Sequence, residues 1–426
     1  MRSIGMVILG VVVMGASALG EVRYHVTDLG TLGNGTWAWA VNDSGHVVGY
    51  STFDPATPGK FNHAFLWTAE GGIQDLGDFG GGHSSAFDIN NHGVVVGSAD
   101  NRAFKWTATE QMQELITFKS QSSARGINDR NEIVGIQYQD GMLRACYWDS
   151  SGEPTGYLFQ SESSVYQSHA VAVNNSGLVT GKSPVGDEPT THHAFLWSED
   201  DGPRDLGDFG MVGTTPRDIN DHGLVVGGCH TSPTTAATFL WTEDGGVQFP
   251  IDGVESSIAY GVNNRGQVVG WIRHLDGQER AYLLEQGQVK DLTDLVPGLD
   301  WTLELASDIN EYGQIVGWGR AVPDSPPLRG FFLTHADANL DGAVDDNDLS
   351  LVLAHWGQRT GFPHGNLNSD ARVDDDDLSV LLSTWTGPLA VPVPEPATMS
   401  LLVVGGVAIL CKRRSPGGPR AHGRAG

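Results

Sequence analysis

One short string recurs seven times in this chain, and it fixes most of what the chain can become. It reads "AVNDSGHVVG" from Ala40, "DINNHGVVVG" from Asp88, "GINDRNEIVG" from Gly126 and "AVNNSGLVTG" from Ala172. It returns as "DINDHGLVVG" from Asp218, "GVNNRGQVVG" from Gly261 and "DINEYGQIVG" from Asp308. With the asparagine as marker (Asn42, Asn90, Asn128, Asn174, Asn220, Asn263, Asn310), the spacings are 48, 38, 46, 46, 43 and 47 residues. A period of that size suits a four-stranded propeller blade.

Each unit has four short segments bounded by Gly, Asn or Asp. The first ends in Ile-Asn or Val-Asn. The second is Val-rich, as at Val94-Val95-Val96. The third is aromatic, as in "HAFLW" from His63 and His193 and "RAFKW" from Arg102. The fourth carries "DLG", as at Asp28, Asp75 and Asp205. Short, β-branched or aromatic segments with such boundaries predict strands joined by tight turns. In the first turn an Asn side chain can bond backbone two residues on, and the fourth position wants positive φ. Gly supplies it, and the one exception is Asn131, the residue type next most tolerant of that backbone. A metal or catalytic role would not predict that exchange, so the string is read as a folding device. His92 is then an exposed turn residue.

Seven such units predict an all-β repeat domain over 24–333, a seven-bladed β-propeller, with an open β-solenoid as the alternative. The chain begins with an unpartnered "DLG" segment at Asp28, and the seventh unit stops at its aromatic segment near Leu333. The first segment can therefore complete the last blade and remove an exposed strand edge. The aromatic positions exchange with aliphatic ones (Trp148, Trp241, Leu284, Leu333), as core positions do. The units resemble the HAF family of extracellular repeats, on His63-Ala64-Phe65 and His193-Ala194-Phe195. That resemblance implies an exported repeat protein and carries no catalytic residues with it.

Composition narrows the function. With 51 acidic against 25 basic side chains the formal charge is −26, which repels nucleic acid and suits an exported protein or a binder of divalent cations. Three cysteines make no disulfide framework. Cys146 and Cys229 could in principle pair, but each replaces a residue inside a repeat and reads as a small buried side chain.

After Thr334 the pattern changes. From Asp337, loop positions 1, 3, 5, 7, 9 and 12 fall on Asp337, Asn339, Asp341, Ala343, Asp345 and Asp348, with Gly342 at 6 and Val344 at 8. Hard oxygen ligands at alternate positions around a Gly turn are the pattern of an EF-hand Ca²⁺ loop, with Ala343 offering its backbone carbonyl. The design returns 29 positions later at Asn366, Asn368, Asp370, Arg372, Asp374 and Asp377, with Val373 at 8. The second loop has Asn366 for Asp and Ala371 for Gly, so weaker Ca²⁺ binding is expected there. Apolar helical stretches follow at Leu349–Trp356 and Leu378–Trp385. The duplicated loop–helix, a small α-helical module over 334–388, resembles a type I dockerin. That implies Ca²⁺ as cofactor and a cohesin-like or other surface protein as partner. At positions 10 and 11, where many dockerins carry small hydroxyl or apolar residues, this chain has Asp346-Asn347 and Asp375-Asp376.

The two ends read as export signals. Arg2, the apolar run Ile4–Gly15 and Ala16-Ser17-Ala18 predict a cleaved signal peptide over 1–18. At 389–426, Pro394-Glu395-Pro396, the apolar run Ala397–Ile409, Cys411 and Lys412-Arg413-Arg414 resemble the PEP-CTERM sorting signal of Gram-negative bacteria. That resemblance implies processing by an exosortase-type protease, transient membrane association through the short apolar segment, and a place at the outer surface, in the matrix or secreted; the alternative is a simple C-terminal anchor. The expected function is a non-enzymatic surface or matrix scaffold that binds a partner, with extracellular polysaccharide as one candidate. The alternative is a glycosidase or lyase acting on such a polymer, which needs two carboxylates facing one bond. Asp88, Asp218 and Asp308 share one repeat position, so repetition would spread them around a ring.

Overall fold

The computed structural model describes residues 24–383, apart from 54–60, 118–120, 140, 159–166, 185–191, 297, 321–327, 341–343, 345, 363 and 371. The expected leader at 1–18 and sorting tail at 389–426 lie outside the described residues. Among the described residues no helix is long and apolar enough to cross a membrane. The described residues belong to one compact unit; the second, from Gly387, lies outside the described set.

The repeats fold into seven four-stranded antiparallel sheets, a seven-bladed β-propeller. In blade 1 the strands run outward as Thr36–Val41, Val47–Thr52, Asn62–Thr68 and Gly72–Asp75. The innermost strands of blades 2 to 7 are Ser84–Ile89, Ser122–Ile127, His169–Val173, Gly213–Ile219, Ser256–Val262 and Thr302–Ile309. Neighbouring innermost strands touch all the way round. Tyr24–Asp28 pairs antiparallel with Arg329–His335 and completes the seventh sheet, so the array closes.

The core lies between the faces of adjacent blades. At the closing joint, Val316 and Phe332 of blade 7 pack with Val47, Phe65 and Trp67 of blade 1. The aromatic strands supply Phe65, Phe104, Trp148, Phe195, Phe239 and Tyr282, all buried. Each such side chain contributes about 1.5–3 kcal/mol by leaving water.

The repeated turn forms as its chemistry dictates. Gly93 has φ +75°, and Asn131 takes the same backbone at φ +61°. The second glycine of the string has a different cause. A Cβ on Gly97 would lie 2.1 Å from the Ser85 carbonyl oxygen, and the equivalent glycine of every blade is as confined. Opposite it the innermost strand carries a one-residue bulge at Trp39, Phe87, Arg125, Val171, Arg217, Tyr260 and Ser307 in turn.

A polar side-chain link ties the third strand of several blades to the fourth. His63 Nδ1 lies 2.9 Å from Asp75, and His193 Nδ1 3.0 Å from Asp205. At the same position Arg102 meets Glu114 at 2.9 Å, Arg280 meets Asp291 at 3.5 Å and Arg329 meets Asp28 at 3.1 Å. The His of "HAF" and the Asp of "DLG" are therefore one pair.

After the last blade come two helices, α1 (Asp346–Ala354) and α2 (Asp375–Ser383). They begin three residues earlier than the apolar stretches predict. Asp346 and Asp348, and Asp375 to Asp377, sit in the first turns, where the helix dipole favours carboxylates. Val344, Val352, Val373 and Leu381 build a small separate core. Cys146 and Cys229 are free and buried in different clusters.

Candidate functional site

In the first acidic loop, Asp341, Ala343 and Asp345 lie outside the described residues. Asp337 is buried, Asn339 exposed and Asp348 fully buried. The Asp348 carboxylate accepts from the Asn339 N–H at 3.1 Å. The second loop closes in the same way, Asp377 accepting from the Asn368 N–H at 3.2 Å. Position 4 has left-handed backbone in both, Leu340 at φ +59° and Ser369 at φ +61°. Two loops 29 residues apart thus share their closing bond and their strained position.

The second loop can be followed further. Asn366 is 2 % exposed and donates through Nδ2 to the Thr360 and Asp370 carbonyls, while its Oδ1 has no partner among the described residues. A buried acceptor left unpaired costs free energy and calls for a cation or donor. The carboxylates of Asp370, Asp374 and Asp376 come within 4.8 Å of one another. Asp370 and Asp374 are predicted ligands. Asp376, at position 11, is not, and only the folded loop shows it turned toward them. Arg372 is exposed, so position 7 can offer its backbone while the guanidinium stays in water. Burial pushes the Asp377 carboxyl up to about 6; backbone N–H groups of Asp374, Asn368 and Leu367 oppose that, and Asp370 adds to it. This all-oxygen donor set, with one orphaned buried oxygen, fits a hard divalent cation.

The module packs on the propeller near the joint of blades 7 and 1. Gln314 Nε2 donates to Ser369 Oγ at 2.9 Å, and Phe362 meets Tyr312 and His335 at ring separations of 5.1 and 5.6 Å. A cleft of about 620 Å³ lies between them, lined by Asp43, His46 and Glu70 on one side and Arg359, Asn366 and Asp370 on the other.

The propeller axis holds a second polar assembly, in a cavity of about 380 Å³. The repeated asparagine works in two directions. Asn220 Oδ1 accepts from the N–H of His222 and Leu224, shaping its own turn, while Nδ2 donates to the Asn263 carbonyl of the next blade at 2.9 Å. All seven asparagines do this, and Asn310 closes the circle on Asn42 at 3.0 Å. The residues one further on, Asp43, Asn91, Asp129, Asn175, Asp221, Asn264 and Glu311, make a second circle. The backbone N–H of each meets the side-chain oxygen of the next at 2.8–3.2 Å.

Beneath these circles Asp88, Asp218 and Asp308 share the same cavity. Repetition places them on blades 2, 5 and 7, yet the innermost strands converge on the axis and bring the three into mutual repulsion. Each carboxylate accepts from the N–H of its own neighbour and from that of the next blade: Ile127 for Asp88, Val262 for Asp218, Val41 for Asp308, at 2.8–2.9 Å. Burial raises Asp88 to about 7 and Asp218 to about 6, and raises Asp308 well above the usual range, with the other aspartates adding to the rise. Each of the three carboxylates is thus held by two backbone donors.

No family model and no curated protein matches the chain. Among solved structures it is similar to an oligogalacturonate lyase from Vibrio parahaemolyticus, at 12% identity over 74% of this chain and 98% of that one, TM-score 0.48. A virginiamycin B lyase from Staphylococcus aureus gives 12% identity over 73% and 99%, TM-score 0.47. A putative TolB from Agrobacterium tumefaciens gives 11% over 61% and 89%, TM-score 0.43. Likenesses this distant say nothing of what the chain binds or does.

Proposed function

We propose that the chain is an exported, non-enzymatic surface or matrix scaffold. In this reading the propeller presents a binding surface. The dockerin-like loop pair is a Ca²⁺-dependent connector to a cohesin-like or other surface protein, and the PEP-CTERM-like tail is a sorting handle. One observation carries the non-enzymatic part: the axial carboxylates are tied to backbone N–H groups of adjacent blades, which makes them part of the closure of the ring. A second reading, a glycosidase or lyase, draws on the convergence of Asp88, Asp218 and Asp308 with raised proton affinity. Against it stands the engagement of each carboxylate by two backbone N–H groups, since glycoside hydrolysis needs two carboxylates turned to one bond.

The connector reading is supported by the orphaned Asn366 oxygen and the clustered Asp370, Asp374 and Asp376. A bound Ca²⁺ would tie loop to helix by neutralising their carboxylates. Calorimetric melting of the full chain with EDTA and then with excess Ca²⁺ tests it. Ca²⁺ is expected to raise the melting temperature, by about 2.7 kcal/mol of stability at a hundredfold excess over Kd. Asp377→Asn should blunt that rise. An unchanged melt in Ca²⁺ would remove the connector from the proposal.

A further inference from the structure

A chain with 25 basic against 51 acidic residues should surround most of its cations with anions. One end of the channel departs from that. The innermost strands all run toward the circles of turns, so their earlier residues face the opposite mouth. There Arg125 of blade 3 and Arg217 of blade 5 occupy bulge positions, and blade 4 between them places His169 opposite Lys182. His230 of blade 5 lies 3.3 Å from Thr215. These groups feel one another: burial lowers His169 to about 4 and Lys182 and Arg125 push it the same way, while burial and then Arg217 depress Arg125 and Lys182.

The nearest acid in the adjoining cavity, Asp100, is engaged by the N–H groups of Phe79, Gly81 and His83. Among the described residues Arg125, Lys182 and Arg217 form no ion pair. Asp218 lies one step beyond Arg217 on its strand and Asp88 one step beyond Phe87 on blade 2, but their proton affinities rise and no cation pulls them down. What the arginines touch is aromatic: Arg125 sits 4.2 Å over Phe87 and Arg217 4.7 Å over Tyr260. A guanidinium stacked by its face keeps its N–H edge for a carboxylate.

The other half of this mouth is aromatic. Trp37 stacks on Tyr50 at 4.9 Å, and Trp39 meets Trp318 edge-on at 5.1 Å, all four half-buried. Beside Arg125 opens a cavity of about 300 Å³ lined by Phe87, Ser85, Ser98, Asp100 and Ser123, the last with a buried hydroxyl that makes no hydrogen bond with the described residues. Cationic forks on blades 3 to 5, aromatic plates on blades 6, 7 and 1, and hydroxyls between them suit a ligand with carboxylates, apolar ring faces and many hydroxyls. The net charge of the protein is screened within about 8–10 Å at ordinary ionic strength, so it does not cancel these contacts.

We propose that this mouth binds an acidic saccharide, with Arg125, Lys182 and Arg217 taking its carboxylates and the aromatic half packing against its ring faces. The inference rests on the propeller's being a binding scaffold and is independent of the Ca²⁺ module. Isothermal titration of the full chain would compare a mannuronate tetramer, cellotetraose of the same length and inorganic phosphate. The uronate is expected to bind roughly tenfold or more tighter than either and to weaken as salt rises. Arg125→Gln with Arg217→Gln should lose roughly tenfold in uronate affinity at an unchanged melting temperature. Should that pair fail to fold, Lys182→Met, at a half-buried edge, gives the same reading alone. Equal binding of both tetramers, binding untouched by these variants, phosphate binding as tight as uronate, or no uronate binding overturns the inference. Chromatography of the titrated tetramer separates the two readings. Shortened products would support the site and sink the non-enzymatic scaffold. An inert chain that fails to bind uronate sinks the site alone.

Discussion

The axial aspartates show how one residue's chemistry is set by its position in a closed ring. Asp88 and Asp308 hold their protons more tightly in the fold than in the unfolded chain, because burial and the charge of neighbouring aspartates, Asp218 above all, disfavour the ionised form. A raised folded pKa means that their contribution to stability is complete below the unfolded value near 4 and is lost as pH rises through the folded value, about 7 for Asp88. The melting temperature should therefore fall between pH 4 and 7 by an amount that Asp88→Asn and Asp308→Asn reduce. Melting curves at stepped pH check this, and parallel profiles for variant and parent would contradict it. At this scale the sequence was legible only in part. Asn90 announces its turn through the residues beside it, but its second bond, to the Asn128 carbonyl 38 residues on, leaves no local pattern.

At the level of the strand and its turn, two glycines of one string do different work. Gly93 supplies positive φ in open space, where Ala should cost about 1–2 kcal/mol. Gly97 lies against the bulge, where a Cβ meets the Ser85 carbonyl at 2.1 Å and the backbone itself must move. Gly97→Ala should cost more than Gly93→Ala, about 3 kcal/mol or above, in urea unfolding of the two variants. The repeats already hint at this ranking: the first glycine is replaced once, by Asn131, and the second never. The pairing of "HAF" with "DLG" was equally readable, since His63–Asp75, Arg102–Glu114 and His193–Asp205 are each 12 residues apart. The cationic mouth was not. It is built from residues that differ between blades, and a search for repetition passes over whatever does not repeat.

For the molecule as a whole, closure through Tyr24–Asp28 is the decisive contact. Without that strand, Arg329–His335 becomes an open edge with unpaired backbone groups. A chain lacking Tyr24–Asp28 should melt lower and self-associate in light scattering, whereas a monomer of unchanged stability would mean that the ring is held shut by other contacts. The number of blades and the closure were readable from spacing; the convergence of three distant aspartates on one axis was not, because it depends on the radius of the ring. That number has one more consequence, visible in the outer circle of side chains. From Asp43 to Asn264 acid and amide alternate, so each carboxylate has an amide neighbour to share charge with. Seven is odd, and strict alternation cannot return to its start. One like pair must occur somewhere, and it falls at Glu311 and Asp43, both with raised proton affinity from burial. The mismatch sits at the seam where the last blade meets the first, beside the cleft under the loop–helix module. A propeller with an even count of blades could have been built with no such seam.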